Sequence, residues 1–194
     1  MGFDAIWLPE HHFSIYGILG DTLTLAAAIS QRTKRIKIGT SEVLLPLQHP
    51  VRIAERAALV DMLSNGRLLL GLGRAYQPKE FAGFDMDPAE SRERFNEGLE
   101  MLLGTFTQKN FSYEGKYWSC NDVTLFPKPV QQPHPPIYMA AVSPPSYQLA
   151  AEKACRSCAR RDSPASTRSR NSGRSTANIC APPGTTRWRS TSRC

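Results

Sequence analysis

The stretch IKIGTSEVLLPLQHPVRIAERAALVDMLSNGRLLLGLGRAY, residues 36–76, predicts a strand, a helix and a second strand. The strands are the short apolar runs Ile36–Gly39 and Leu68–Leu72. Between them, Pro50–Leu63 carries apolar residues at helical spacing after a proline that suits a first turn, and Asn65-Gly66 supplies a left-handed stop. Two strands joined through a helix lie parallel in one sheet, so the stretch indicates an α/β fold.

The same alternation of strands and helices continues on both sides of this unit. It predicts further strands at Ala5–Leu8 and Ile137–Ala141, helices at Thr22–Ser30, from 87 to about 107 and at Ser146–Ala154, and a hairpin formed by Phe111–Trp118 and Val123–Phe126. Four parallel strands with helices between them predict part of a (β/α) barrel of the TIM type. A complete barrel has eight strands and about 250 residues, so this chain accounts for about half of one.

The residues after about Cys155 have a different composition. They are mostly Arg, Ser, Thr, Pro, Ala, Gly and Cys, without a single Lys, Leu, Val or Phe. Such a segment buries too little apolar surface to offset its chain entropy, which predicts a barrel domain over residues 1–154 and a disordered tail over 155–194. A GC-rich gene read in another frame yields this composition, so we expect a frameshift near this point.

The net charge of +7 is concentrated in the same tail. Met1–Cys155 holds 15 Lys and Arg against 16 Asp and Glu, whereas Arg156–Cys194 holds 9 Arg and one acid. An Arg-rich nucleic-acid binder is therefore an alternative, but Trp188 is the only aromatic residue there for base stacking, and we expect no nucleic-acid partner. The Cys155 and Cys158 pair has no second pair at zinc spacing, so no metal site is expected.

The chain has no apolar run of about 18 residues and no signal-peptide pattern at its start. We therefore expect no membrane partner and a cytoplasmic location.

Three residues directly after the first strand, Glu10, His11 and His12, are candidate catalytic groups. Catalytic side chains of β/α barrels collect at the carboxyl ends of the strands. The pKa of a histidine ordinarily lies near physiological pH, so a histidine here could exchange a proton with a ligand. The alternative is a loop histidine that is hydrogen-bonded to Glu10 or to solvent.

Polar residues also follow the other three strands. Ser41 and Glu42 come after the second strand, and Arg74 comes after the third, where its planar guanidinium could bind a phosphate or form a structural ion pair. Ser143 and Ser146 follow the fourth strand. Their hydroxyls at a helix start could bind an anion, or Ser146 could simply cap the helix.

Four segments together give a family resemblance. They are GFDAIWLPEHHF (2–13), GTSEVLLPLQHPVRIAE (39–55), LVDMLSNGRLLLGLGRAY (59–76) and PPIYMAAVSPPSYQLAAEKA (135–154). In this order and spacing they resemble the bacterial-luciferase-like family of flavin-dependent monooxygenases. The resemblance implies a (β/α) barrel that binds reduced flavin mononucleotide (FMN) or, in some members, a deazaflavin. It also implies oxidation of a small organic substrate with dioxygen, a flavin reductase as supplier of the reduced flavin, and a homodimer or heterodimer.

The resemblance also implies roles for single residues. His11 corresponds to the histidine beside the flavin and substrate, within the Glu10-His11-His12 motif. Ser41 and Glu42 correspond to a cis peptide that lies against the flavin ring. Arg74, Ser143 and Ser146 correspond to the groups that contact the flavin phosphate.

Family members have a strand and helix before the GFD segment and several βα units after the last matching helix. We therefore expect that this chain lacks the first βα unit and the C-terminal units, and that it does not turn over. The alternative function is a non-catalytic truncated barrel, or a pseudogene product, that associates with a full-length subunit.

Overall fold

The computed structural model describes residues 2–141, 144–152 and 156–159 of the 194-residue chain. The strands are β1 (Ala5–Leu8), β2 (Lys37–Thr40), β3 (Val43–Leu44), β4 (Leu68–Gly73), β5 (Phe111–Glu114), β6 (Ser119–Val123), β7 (Ile137–Ala141) and β8 (Arg156–Ala159). The α-helices are α1 (Thr22–Arg32), α2 (Pro50–Ser64), α3 (Pro78–Gly83), α4 (Ser91–Thr107) and α5 (Pro144–Glu152). Within these ranges, no helix is long and apolar enough to cross a membrane.

The principal sheet is parallel and has the strand order β1-β2-β4-β7, with β3 paired to β4. Strands that follow one another through a helix lie side by side, as they do in a (β/α) barrel. This is the predicted α/β class, with the predicted four strands and the short β3 in addition.

The buried core lies between this sheet and the helices. Helix α1 packs on β2, and α2 packs on β4 and also contacts α1 and α4. The fully buried apolar side chains include Leu23, Ile38, Ile53, Leu68, Leu70, Leu72, Leu99 and Leu102. Each fully buried side chain of this size stabilises the fold by about 1.5–3 kcal/mol relative to exposure.

The sheet also carries an aromatic pair. The Trp7 indole lies over Gly39, where an added Cβ would collide with the ring, and it meets Tyr138 edge-on with the centroids 5.1 Å apart. Trp7 remains 37% exposed. The absence of a side chain at Gly39 therefore allows the indole of β1 to extend over β2 toward Tyr138 of β7, two strands beyond β2 in the sheet.

Strands β2 and β4 approach each other closely at Thr40 and Gly71. The Thr40 hydroxyl donates to the Gly71 carbonyl and accepts from the Gly71 N–H, both at 2.8 Å. A Cβ on Gly71 would collide with the Thr40 carbonyl oxygen. Glycine is required here because two backbones come into contact.

A buried arginine joins the loops at the other end of the sheet. Arg67 is 8% exposed, and its guanidinium donates to the carbonyls of Ser30, Thr33, Ile36 and Ser64 at 2.7–2.9 Å. One side chain thus hydrogen-bonds carbonyl groups at the C-terminal ends of α1 and α2 and in the segment just before β2.

The predicted helix signals are confirmed for α1 and α2. Asp21 caps α1 by accepting from the Thr24 N–H at 3.0 Å. Pro50 is the first residue of α2, and Asn65 ends it with a left-handed φ of 56°. These local signals act independently of the rest of the fold.

Helix α3 and strand β6 differ from the prediction. Helix α3 was not predicted, because its six residues are too short to show a helical period. The hairpin of β5 and β6 is present and antiparallel, but its second strand is Ser119–Val123 and not Val123–Phe126. The sequence Ser-Cys-Asn-Asp lacks the alternating apolar residues that would have indicated a strand there.

Residues up to Ala140 form one compact unit, and the chain from Ala141 onward belongs to a second. The described elements of the second unit include α5, which begins at Pro144. Ser146 is therefore inside the first turn, and the prediction that it caps the helix is wrong. Strand β8 lies in the stretch predicted to be disordered. Composition did not predict this strand, because a strand is formed by hydrogen bonds between backbone groups, which every residue type except proline can both donate and accept. Residues 160–194 lie outside the described ranges.

Candidate functional site

Glu10 follows β1 and is 2% exposed. Its carboxylate accepts from the Leu44 N–H and the Thr22 hydroxyl, both at 3.1 Å, and from the Gln48 amide at 3.2 Å. Burial raises the pKa of Glu10, although the hydrogen bonds from Leu44 and Thr22 and the nearby His12 act in the opposite direction. His12 Nε2 lies 3.4 Å from the same carboxylate. Glu10 thus fixes the loop after β1 and orients His12.

His11 is held by a different carboxylate. Its Nδ1 lies 2.9 Å from Oε1 of Glu80, which is completely buried, and 2.8 Å from the side-chain amide of Gln77. The rings of Tyr16 and Tyr76 lie 5.0 and 5.7 Å from the imidazole. Since a carboxylate only accepts hydrogen bonds, Glu80 favours the imidazole with a proton on Nδ1, and the Gln77 amide can then bond this N–H only through its oxygen. Among the described residues, His11 Nε2 has no protein partner.

Sequence reasoning missed Glu80. The only signal was Pro78 at a first helical position with an acidic residue in the same turn, which indicates a helix start. Glu80 also accepts from the backbone N–H of Gln77 at 3.4 Å and of His12 at 3.3 Å. The expected alternative partner of His11, Glu10, bonds His12 instead.

Ser41 and Glu42 follow β2, and the peptide bond between them is cis, as the resemblance implied. The Glu42 carboxylate lies against Gly73 at the end of β4, where an added Cβ would collide with it. Burial raises the pKa of Glu42 to about 7. Within the described part of the chain, this carboxyl has no hydrogen-bond or ion-pair partner.

Arg74 follows β4 and is exposed. Its Nη1 lies 3.4 Å from the Ser91 hydroxyl. Partial burial and the positive charge of Arg92 both lower the pKa of Arg74. No carboxylate pairs with Arg74 among the described residues, so the structural ion pair considered from the sequence is not found there. Arg92 was also missed, because its position in the first turn of α4 gives no separate signal.

The order of the strands brings the candidates to one edge of the sheet. Glu10 and His11, then Glu42, then Arg74 follow the carboxyl ends of β1, β2 and β4, which are consecutive neighbours. Ser143 lies outside the described residues, and of Ser146 only the backbone in α5 is described. In the described ranges, no three His, Cys, Asp or Glu side chains are grouped to hold a metal ion.

Comparison with known proteins now identifies the family. Residues 1–157 match the sequence model of the luciferase-like monooxygenase family. This chain belongs to the luciferase-like monooxygenase family. It is 32% identical over 156 residues to the oxygenase component of the flavin-dependent trigonelline monooxygenase of Acinetobacter baylyi, and the match covers 79% of this chain and 43% of that protein.

Solved structures of the family confirm the predicted fold class. The monooxygenase RslO1 from Streptomyces bottropensis superimposes with a TM-score of 0.77 and 36% identity over 80% of this chain and 48% of the other. The oxygenating constituent of 3,6-diketocamphane monooxygenase from Pseudomonas putida, solved with FMN, gives a TM-score of 0.73 and 24% identity over 80% and 47%. The chain therefore spans less than half the length of these family members.

Proposed function

We propose that this chain is a flavin-dependent monooxygenase that oxidises a small organic substrate with dioxygen, using reduced FMN supplied by a flavin reductase. Oxygen consumption by the purified chain with FMN and a reductase would overturn the expectation that it does not turn over. One observation carries the proposal. His11, Glu42 and Arg74 follow the ends of three neighbouring parallel strands, the edge at which β/α barrels bind ligands. The flavin-dependent relative named above supports the same class of reaction.

The residues around Arg74 fit the phosphate of FMN. Two guanidinium groups, Arg74 and Arg92, lie close enough to affect each other, and the Ser91 hydroxyl adds a donor. Guanidinium groups bind phosphate through charge-assisted hydrogen bonds. The roles of Ser143 and Ser146 at the flavin phosphate, which the resemblance implied, stay predictions. A deazaflavin that carries a phosphate would bind to the same arginines. The Kd values of the chain for FMN and for the deazaflavin, measured by titration, distinguish the two cofactors.

His11 is assigned the role of the polar group that meets the reacting atoms. Glu80 accepts from Nδ1–H, which leaves Nε2 of the neutral ring to accept a hydrogen bond or a proton from the ligand. Reduced flavin, when bound, supplies the electrons that activate dioxygen. Glu10 and His12, which were predicted beside His11, support the loop after β1, because Glu10 is buried among hydrogen bonds from three other segments.

The test compares FMN with riboflavin, which has the same ring and no phosphate. We expect Arg74→Gln to raise the Kd for FMN roughly 10- to 100-fold, because a hydrogen bond to a charged group contributes about 1.5–3 kcal/mol, and to leave the Kd for riboflavin unchanged. The control is Arg52→Gln, an exposed arginine of α2. Equal affinities of the parent chain for FMN and riboflavin would contradict the phosphate assignment.

A second candidate is the non-catalytic partner of a full-length subunit. Helices α1 and α2 leave four large apolar side chains exposed, namely Leu25, Leu59, Met62 and Leu63. Exposed apolar groups of this kind are typical of association surfaces. Co-purification with a tagged full-length family member, without oxygen consumption in the presence of FMN and a reductase, would favour this candidate. A cytoplasmic location and a dimer stay predictions.

A further inference from the structure

The Glu42 carboxyl lies at the edge of the sheet formed by the carboxyl ends of the strands. It has no hydrogen-bond or ion-pair partner among the described residues. It follows β2, between the strand that leads to His11 and the strand that leads to Arg74. Gly73 clears the space that the carboxyl occupies. A partly buried carboxyl without a protein partner depends on water or on a ligand for its hydrogen bonds.

Burial alone raises the pKa of Glu42 to about 7, with no contribution from a neighbouring charge or hydrogen bond. The titratable and charged groups of the adjacent strand ends are Glu10, His11 and His12 after β1 and Arg74 after β4, and none of them contributes to this shift. At neutral pH the carboxyl is therefore close to equally protonated and ionised. In the protonated form it can both donate and accept a hydrogen bond.

We propose that Glu42 forms part of the wall of the flavin site and is protonated when the flavin binds, so that binding takes up a proton. The inference rests on the proposed function. A flat ring placed at this edge displaces the water that still solvates the carboxyl. Removing water from a carboxyl disfavours its charged form. By linkage, flavin affinity then falls as the pH rises through 7.

The experiment measures the Kd of the full chain for FMN by fluorescence titration at pH 6.0 and pH 8.0, in the parent chain and in Glu42→Gln. The amide is isosteric and does not titrate. The phosphate of FMN also titrates near pH 6, but its effect is common to both proteins and cancels in the ratio of their Kd values. We expect the ratio of the parent Kd to the variant Kd to rise about 5- to 10-fold between the two pH values.

The matched control is Glu114→Gln, an exposed carboxyl on the separate two-stranded sheet, which should behave as the parent chain does. Calorimetry in two buffers of different ionisation enthalpy gives a second readout. The parent chain should take up more protons on binding FMN at pH 7.5 than Glu42→Gln does.

A ratio that stays constant or falls with pH overturns the inference even when FMN binds, because the carboxyl is then either remote from the ring or ionised in the complex. If FMN does not bind to any of these proteins at either pH, the proposed function fails, and this inference fails with it.

Discussion

The orientation of the His11 ring depends on groups that are distant from it in the sequence. Glu80 and Gln77 contact Nδ1 from the segment that begins α3, more than 60 residues away. Glu10, only one residue from His11, is engaged with other segments. At this scale a candidate histidine could be named from the sequence, but the residue that holds it became visible only through the fold.

Glu80 is expected to act as a positioning residue for His11. Glu80→Ala removes the acceptor at Nδ1, and a misplaced catalytic group can cost about 100-fold in rate. We expect a loss of this order in kcat and a changed pH dependence of kcat, with the Kd for FMN within about threefold of the parent value, since Glu80 does not contact the phosphate site.

The conservative variant Glu80→Gln keeps an oxygen that can accept from Nδ1 and should recover part of the activity. Glu55→Ala, on the outer side of α2, serves as the control. If Glu80→Ala lowered kcat only in proportion to its loss of folded, FMN-binding protein, the role would be structural.

Glu42 is expected to limit stability at alkaline pH. Its pKa is about 7 in the folded chain against the ordinary value of 4.5, so the proton is held more tightly after folding. The stabilising contribution is complete below about pH 4.5 and is lost as the pH rises through 7. We expect Glu42→Gln to be more stable than the parent chain at pH 8 by about 2 kcal/mol, relative to their difference at pH 5. Urea unfolding at both pH values measures this, and a pH-independent difference would refute it.

The elements were predicted well where the signal is local. Pro50 and Asn65 mark the ends of α2, and the run of β4 is apolar and buried throughout, as is typical of a parallel strand covered on both faces. The prediction failed where the determinant is tertiary. Helix α3 is short and is anchored by Glu80, and β6 is polar and exists because it pairs with β5.

The contact between β2 and β4 gives a prediction for Gly71. Gly71→Ala places a methyl group on the Thr40 carbonyl oxygen, which is backbone and cannot rotate away. Overpacking of this kind typically costs 1–3 kcal/mol, and we expect a loss of about 2 kcal/mol in the free energy of unfolding. Gly2→Ala, where no atom lies within 4 Å of the added Cβ, is the control and should change little. Equal stability of the two variants would contradict the close approach of the strands.

At the scale of the whole molecule, the two parts of the sequence carry different charge. The part with the strand-end residues is nearly neutral, and the 39 residues from Arg156 hold nine Arg. A charge of this size attracts polyanions without any specific site. Binding to nucleic acid in a crude assay would therefore report the tail and not the residues at the strand ends.

Deletion of residues 156–194 should separate these two properties. We expect the full chain to bind single-stranded DNA weakly and with a steep dependence on salt, and the shortened chain to lose this binding while its Kd for FMN stays the same. Fluorescence anisotropy at 50 and 200 mM salt measures the first, and FMN titration the second. DNA binding that survives the deletion would place it elsewhere in the chain.

The stacking of Trp7 over Gly39 and against Tyr138 has a practical consequence. Trp7 is one of three tryptophans in the chain, it is partly open to solvent, and it precedes the Glu10-His11 pair by only a few residues along β1. Indole emission overlaps flavin absorption, so excitation energy would pass from this ring to a flavin held at the end of the same strand. The fluorescence of Trp7 would therefore be quenched when a flavin binds, and this quenching would report binding without any added label.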